Sequence, residues 1–314
     1  MIYFIFFFIT CYLSINYEKF KNFKNLEKFI FFSLFILIGF RGRTGGDYRP
    51  YIDTFDRVSQ AELIPNPFID YYQYLNYVSG ILNLDFFGIN LISSFIFTFL
   101  LYYFLKNFKN IYLSLVISFP VIVMIYGIGS IRQGIALMFF LSIFNFKSEF
   151  KKIILLIISV LFHFTGIVNL FIYFASYCLK HKKYFIPSIL LIIFLIIASN
   201  NGVYKNYFNY YVSQEVYFSS GFLLRNSITF VCAIIYLIVF FYRKIDIDNK
   251  FEYPFLLISI LTVLIYPLGI FFSTPADRIM AYFLPLQIVL INMIYEQVGE
   301  KLKQNVNVLL CAVY

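Results

Sequence analysis

The sequence predicts an all-α, polytopic integral membrane protein of about 10–12 transmembrane helices. Two observations carry that reading. Of 314 residues, 61% are hydrophobic and 13% charged, with mean hydropathy +0.80, a balance outside the range of water-soluble domains. Long apolar runs recur along the whole chain, and basic residues gather in alternate connections between them. We expect a single transmembrane domain over residues 1–314.

Taken in order, Met1 to Ile15 is apolar, with no basic leader and no small-residue cleavage site before Asn16. It reads as a retained span rather than a signal peptide. Further runs lie near 29–40, 87–105, 111–126, 131–146, 153–177, 184–199, 222–242, 251–272 and 279–295. Several fall short of the ~20 residues a straight crossing needs, so their ends must reach into flanking polar sequence. A last run begins near 306 and stops at Tyr314, partway into a span, so the C-terminus is expected to be incomplete. Cys11, Cys178, Cys232 and Cys311 fall inside apolar runs without C-x-x-C spacing and read as structural thiols.

Orientation follows from the basic connections. Lys19, Lys21, Lys24 and Lys28, then Lys106 and Lys109, Lys147, Lys151 and Lys152, Lys180, Lys182 and Lys183, Arg243, Lys244 and Lys250, and finally Lys301 and Lys303 mark cytoplasmic loops. For the loops at 147–152 and 180–183 to share a side, residues 153–177 must enter the membrane and return. Each arm then has about 12 residues, which at ~1.5 Å per residue reach only part of the way across. A broken or re-entrant helix is implied, with its bend at Phe162-His-Phe-Thr-Gly166. The competing reading is one plain span that breaks the charge rule once.

With this topology the outer face carries the loops 41–86 and 200–221, the turn at 127–131, and 273–277. A segregation then appears: sixteen lysines and one arginine lie inside, seven arginines and one lysine outside. Lysine suffices to hold a loop in the cytoplasm, whereas arginine offers a planar fork for phosphate or carboxylate. Arg41, Arg43, Arg49, Arg57, Arg132, Arg225 and Arg278 therefore form a candidate anion-binding set. The outer acids, Asp47, Asp53, Asp56, Glu62, Asp70, Asp85, Glu215 and Asp277, are the alternative partners for any one of them. The net charge of +9, divided in this way between two faces, does not call for nucleic acid.

The densest polar stretch is 41–55, where charged residues are interleaved with Gly42, Gly45 and Gly46, which permit positive φ and close approach. Downstream, the tyrosines at 71, 74 and 77 with Leu75, Val78, Ile81 and Leu82 predict an amphipathic helix along the outer interface over 70–84. Arg132, just inside a helix end, must face the interior or snorkel outward. His163, one of two histidines, reads either as a hydrogen-bonded core residue or as a group able to accept a proton near neutral pH. Arg278 has Asp277 beside it as a possible counter-ion, and Arg225 follows the tyrosines 204, 207, 210, 211 and 217, which suit sugar stacking or interfacial anchoring equally. There is no phosphate loop, dinucleotide fingerprint, nucleophile elbow or metal-spaced His/Cys cluster. No cofactor and no metal are expected.

Arg43-Thr-Gly-Gly-Asp47-Tyr48 with Tyr51 and Phe55, Arg132-Gln133 opening a helix, Leu161-Phe-His163-Phe-Thr165, and Asp277-Arg278-Ile with Tyr282 together resemble the EpsG branch of Wzy-type polysaccharide polymerases in order and spacing. The resemblance spans roughly residues 1–305. It implies a GT-C-like, all-helical enzyme of the bacterial inner membrane that joins oligosaccharide repeat units carried on undecaprenyl diphosphate. The work would be done on the periplasmic or outer side. Family motifs map to Arg43, Asp47, Arg132, Gln133, His163 and Arg278, with Tyr48 and Tyr282 beside them in the quoted stretches. Thr165 departs from the serine often found after the histidine.

On this reading Arg132 and Arg278, helped by Arg43 and Arg225, hold the diphosphate, Gln133, Tyr48 and Tyr282 contribute to substrate binding, and His163 or Asp47 takes the acceptor proton. The implied partners are the lipid-linked donor and acceptor, the bilayer, and a chain-length regulator and flippase. A ligase-like transferase using the same donor and a non-enzymatic flippase or exporter are the alternatives. The flippase predicts a charged path from inside to outside, which the one-sided arginines do not supply.

Overall fold

The computed structural model describes residues 1–42, 44–59, 70–182, 219–242 and 248–314, and every regular element among them is helical. Among the described residues four helices are long and apolar enough to cross a membrane: Phe86–Leu105, Ile111–Gly129, Phe222–Tyr242 and Asn249–Leu268. The pair Ser273–Met280 and Pro285–Gln297, bent by 46°, makes a fifth if counted as one broken span. Shorter apolar helices occupy 2–15, 131–145 and 164–180. The protein is membrane-integral. The apolar run at 184–199 and the tyrosine-rich loop to 217 lie outside the described residues.

The chain divides into two compact units, residues 1–166 with 295–314, and residues 167–294. In the first unit α1 (Ile2–Ile15), the short α2 (Tyr17–Phe20) and α3 (Lys24–Gly39) lead to two amphipathic helices, α4 (Tyr48–Ser59) and α5 (Tyr71–Ile81). The second of these matches the helix expected over 70–84. Asp70 starts it, its carboxylate accepting the Gln73 N–H at 3.1 Å, the usual service of an N-cap acid. Asp85 starts α6 (Phe86–Leu105) in the same way, accepting from Phe87 and Gly88. Helix α4 was not foreseen inside the 41–55 polar island. Tyr51, Phe55 and Val58, spaced i, i+4, i+7, bury one stripe of it, and Pro50 falls in its first turn, where a missing N–H costs nothing.

Helix α7 (Ile111–Ser118) runs into a π-helical stretch, Phe119–Gly129. Pro120 stands at the junction: it has no N–H to give, and its ring crowds the preceding turn, which a wider winding relieves. The Ser118 hydroxyl takes up the Leu115 carbonyl at 3.0 Å. The chain then reverses through Ser130 into α8 (Ile131–Ser142). This reversal is tight enough that a Cβ on Gly134 would collide with the Tyr126 carbonyl. Helix α9 (Glu149–Phe162) packs on α8, the Ser159 hydroxyl donating to the Ala136 carbonyl at 2.8 Å and Phe162 stacking on Phe139.

The break foreseen in 153–177 is present, with α9 ending at Phe162, a 3₁₀ turn at Phe164–Gly166, and α10 beginning at Ile167. Each arm is 14 residues long. The last helix of the first unit, α15 (Glu300–Val313), is tied to α1 by Asn307, whose amide donates to the Ser14 carbonyl at 2.9 Å. All four cysteines are unpaired, three of them buried.

The second unit contains α10 (Ile167–Lys180), α11 (Phe222–Tyr242), α12 (Asn249–Leu268), α13 (Ser273–Met280) and most of α14 (Pro285–Gln297). Helices α11 and α12 lie against each other, with the Tyr236 hydroxyl donating to the Glu252 carbonyl at 3.1 Å. Gln287 on α14 donates to Thr229 on α11 at 2.6 Å, pairing two buried polar groups that apolar surroundings would otherwise leave costly.

Candidate functional site

In the first unit, polar residues from five elements converge on the turn between the π-helical stretch and α8. Gly45 sits at φ +108° with a would-be Cβ only 2.6 Å from the Ile128 carbonyl oxygen, so the backbone can lie against the turn at this point only with glycine there. Two residues on, Asp47 reaches over. Its Oδ2 accepts the Ser130 hydroxyl at 2.8 Å and the Tyr51 hydroxyl at 3.4 Å. Tyr51 is buried against Tyr72, and burial, followed by the Asp47 charge, pushes its phenol well above the ordinary value. It therefore stays a donor to the carboxylate.

Arg41 lies beneath the same turn, 5% exposed, donating to the Gly127 carbonyl at 2.7 Å and to Asn90 Oδ1 at 3.0 Å. Burial lowers its pKa, an effect opposed by Tyr72 and Tyr51. Among the described residues it pairs with no carboxylate, and the carbonyl end of the helix supplies the negative counterpart. Both terminal nitrogens are thus spent on holding the turn in place.

Arg132, the second residue of α8, pairs through Nη2 with Asp70 Oδ2. Its guanidinium also lies over the Tyr72 ring, 5.5 Å from the centroid, and its buried Nε has no hydrogen-bond partner. A fork held on one side by a carboxylate and on its face by a phenol is fixed in orientation, the condition for gripping an anion without reorganisation. Gln133 next to it is buried. Tyr48 packs edge-on against Phe86 at 5.5 Å. His163, at the end of α9, has Nδ1 2.7 Å from the Thr165 hydroxyl and 3.3 Å from the Thr165 amide nitrogen.

The second unit holds a separate cluster. Asp277 on α13 takes Arg225 Nη2 at 2.7 Å and the Ser219 hydroxyl at 3.0 Å on Oδ2, and the Asn226 amide at 3.2 Å on Oδ1. Arg225 also donates to Ser219 at 2.5 Å, and the Ser219 N–H donates to the Ser273 hydroxyl at 2.9 Å. Asp277 therefore serves Arg225, a helix away, where the sequence had offered it as counter-ion to its neighbour Arg278. Tyr282 is fully buried and presents no surface to a ligand.

A family model for EpsG proteins matches residues 24–314, more than nine-tenths of the chain. The chain belongs to the EpsG family. Its general function is accordingly that of a membrane polysaccharide-biosynthesis protein of polymerase type. No curated protein and no solved structure matches it.

Of the residues that carried the resemblance, this EpsG-family chain brings Asp47 and Arg132 to one turn through Ser130 and Tyr72. It keeps Arg225 and Arg278 in the second unit, and Arg43 lies outside the described residues. Sequence reasoning missed Ser130, Tyr51 and Asn90 as partners, and did not connect Asp70 with Arg132. A cap signal at Asp70 was readable, but nothing local couples residues 62 positions apart.

Proposed function

We propose that the protein polymerises oligosaccharide units carried on undecaprenyl diphosphate, on the outer side of the bacterial inner membrane, using a GT-C-like helical scaffold. An acceptor hydroxyl oxygen attacks C1 of the donor sugar, the C1–O bond to the diphosphate breaks, and undecaprenyl diphosphate leaves with the bonding electron pair. Charge grows on the leaving oxygen as that bond opens, and a fixed guanidinium in a partly dehydrated setting offsets it. Arg132 is the group proposed for this task, and Asp47, an acceptor of two hydroxyl donors, is the carboxylate proposed to receive the acceptor proton.

The observation that supports this most is the fixed fork of Arg132, clamped by Asp70 and Tyr72. The test is incubation of purified protein in lipid nanodiscs with lipid-diphosphate oligosaccharide. A ladder of lengthening products is expected, and Arg132→Lys, which keeps the charge but loses the fork, should abolish most of it. Normal ladders from Arg132→Lys would overturn the clamp. Transfer of one glycan to a lipid A core without chain growth would assign a ligase.

A further inference from the structure

Helix α5 carries no charged side chain from Tyr71 to Ile81, and Tyr72, Asn76 and Ser79 make its buried face. On the part left half-exposed, Tyr71, Tyr74 and Tyr77 follow one another at every third residue, a rise of about 4.5 Å per step. Their rings form a row. Tyr71 and Tyr74 lie 6.2 Å apart with planes at 39°, and Tyr74 and Tyr77 lie 6.4 Å apart at 36°.

The first ring of the row is anchored at the site. Tyr71 meets Phe162 edge-to-face at 5.3 Å, and Phe162 is itself stacked on Phe139 of α8 at 5.4 Å. Immediately before Tyr71, Asp70 holds Arg132; immediately after it, Tyr72 faces the same guanidinium. The row therefore starts at the Arg132 clamp and leads away from it along α5.

Its chemistry limits what can lie on it. A helix that rests among lipid headgroups is ordinarily rich in lysine and arginine on its polar face, and α5 has neither. Having no charge to offer, the row does not select a phosphate or an ionic protein surface. Sugar rings suit it. Their C–H bonds make an apolar, slightly positive face that packs on the negative face of a phenol, while their hydroxyls can meet the phenol O–H at the rim.

We propose that Tyr71, Tyr74 and Tyr77 form a saccharide-binding platform, on which lies the oligosaccharide whose diphosphate Arg132 holds. The proposal rests on the polymerase reading for the identity of that oligosaccharide; the affinity of the row for a sugar chain is independent of it.

The probe is the free oligosaccharide released from its lipid carrier by mild acid, which has neither diphosphate nor polyprenyl chain. Saturation-transfer NMR with the aromatic protons of the full-length protein irradiated in nanodiscs should show transfer to the sugar-ring protons, and titration gives a Kd. The paired change Tyr74→Leu with Tyr77→Leu keeps apolar area for a bilayer but removes the ring faces. It should weaken binding about tenfold, each lost stack costing about two- to tenfold. Tyr74→Phe with Tyr77→Phe, which keeps both faces, should rescue most of the affinity. Tyr71 is left intact because it packs on Phe162.

No binding of the free oligosaccharide by the unaltered protein overturns the platform. So does equal binding by the leucine variant, which would assign the tyrosines to the bilayer interface. In the ladder assay the leucine variant should raise KM for the lipid-linked donor about tenfold with kcat little changed, the mark of a contact kept from ground state to transition state. A fall in kcat alone overturns the platform. Absence of any ladder from the unaltered protein overturns the polymerase reading and leaves the free-oligosaccharide titration to decide the platform.

Discussion

Among the described residues an arginine–aspartate pair stands in each of the two units, and the two are used differently. Arg132–Asp70 and Arg225–Asp277 are similarly half-buried, with side-chain exposures of 25% and 17% against 32% and 20%, so solvent access does not distinguish them. Their surroundings do. Asp277 is saturated by an arginine, a serine and an asparagine, and Arg225 shares its nitrogen with Ser219, making a closed network that ties the start of α11 to α13. Asp70 serves Arg132 and the first turn of α5, while the guanidinium keeps one face on a phenol and one nitrogen unsatisfied. The lesson lies with the carboxylates and their neighbours, since each arginine meets its aspartate through Nη2: Asp277 is saturated by three residues, whereas Asp70 is shared between Arg132 and a helix start.

The sharpest way to break this contrast is at the arginines themselves. Arg132→Lys should lower polymer formation by about 10²-fold or more, the scale of one lost preorganised donor, with little change in melting temperature. Arg225→Lys should do the reverse, costing stability before activity. Next in size, Gly45→Ala forces a Cβ into the Ile128 carbonyl at a positive φ and should cost about 1–3 kcal/mol, read as a lowered thermal midpoint together with a weaker ladder.

Asp277→Asn removes the charge opposite Arg225 and should destabilise by about 1.5–3 kcal/mol in a thermal-shift measurement while sparing the ladder at temperatures where the protein stays folded. The smallest effect belongs to Tyr51→Phe. It deletes a single long hydrogen bond to Asp47 and should cost about 0.5–1.5 kcal/mol, a few-fold change in ladder yield. If the order of Arg132 and Arg225 reversed, the distinction between clamp and tie would be lost.

Much of the scaffold was legible because membrane insertion writes itself into composition and charge. The bend at 162–166 followed from lysines on either side of a run too short to cross twice. The α5 helix followed from the spacing of its tyrosines with Leu75, Val78, Ile81 and Leu82. Helix α4 was obscured because Gly42, Gly45, Gly46 and Pro50 are loop-forming residues, and only Tyr51, Phe55 and Val58 mark its buried stripe. The π-helical winding had only Pro120 as a clue.

The partners at the site were not legible for a different reason. Asp47 meets Ser130, Arg41 meets Gly127 and Arg132 meets Asp70 across 83, 86 and 62 residues, and such pairings are fixed by helix packing rather than by neighbours in the chain.

The widened winding of Phe119–Gly129 gives this part of the chain slack in length. A π turn takes up a residue more than the α turn it replaces, so excision of one there can be met by tightening toward ordinary α-helix. The same excision inside α8 has no such reserve and turns everything downstream by about 100° around the axis. A one-codon deletion should therefore be borne better in the wide segment than in the regular helix that follows it.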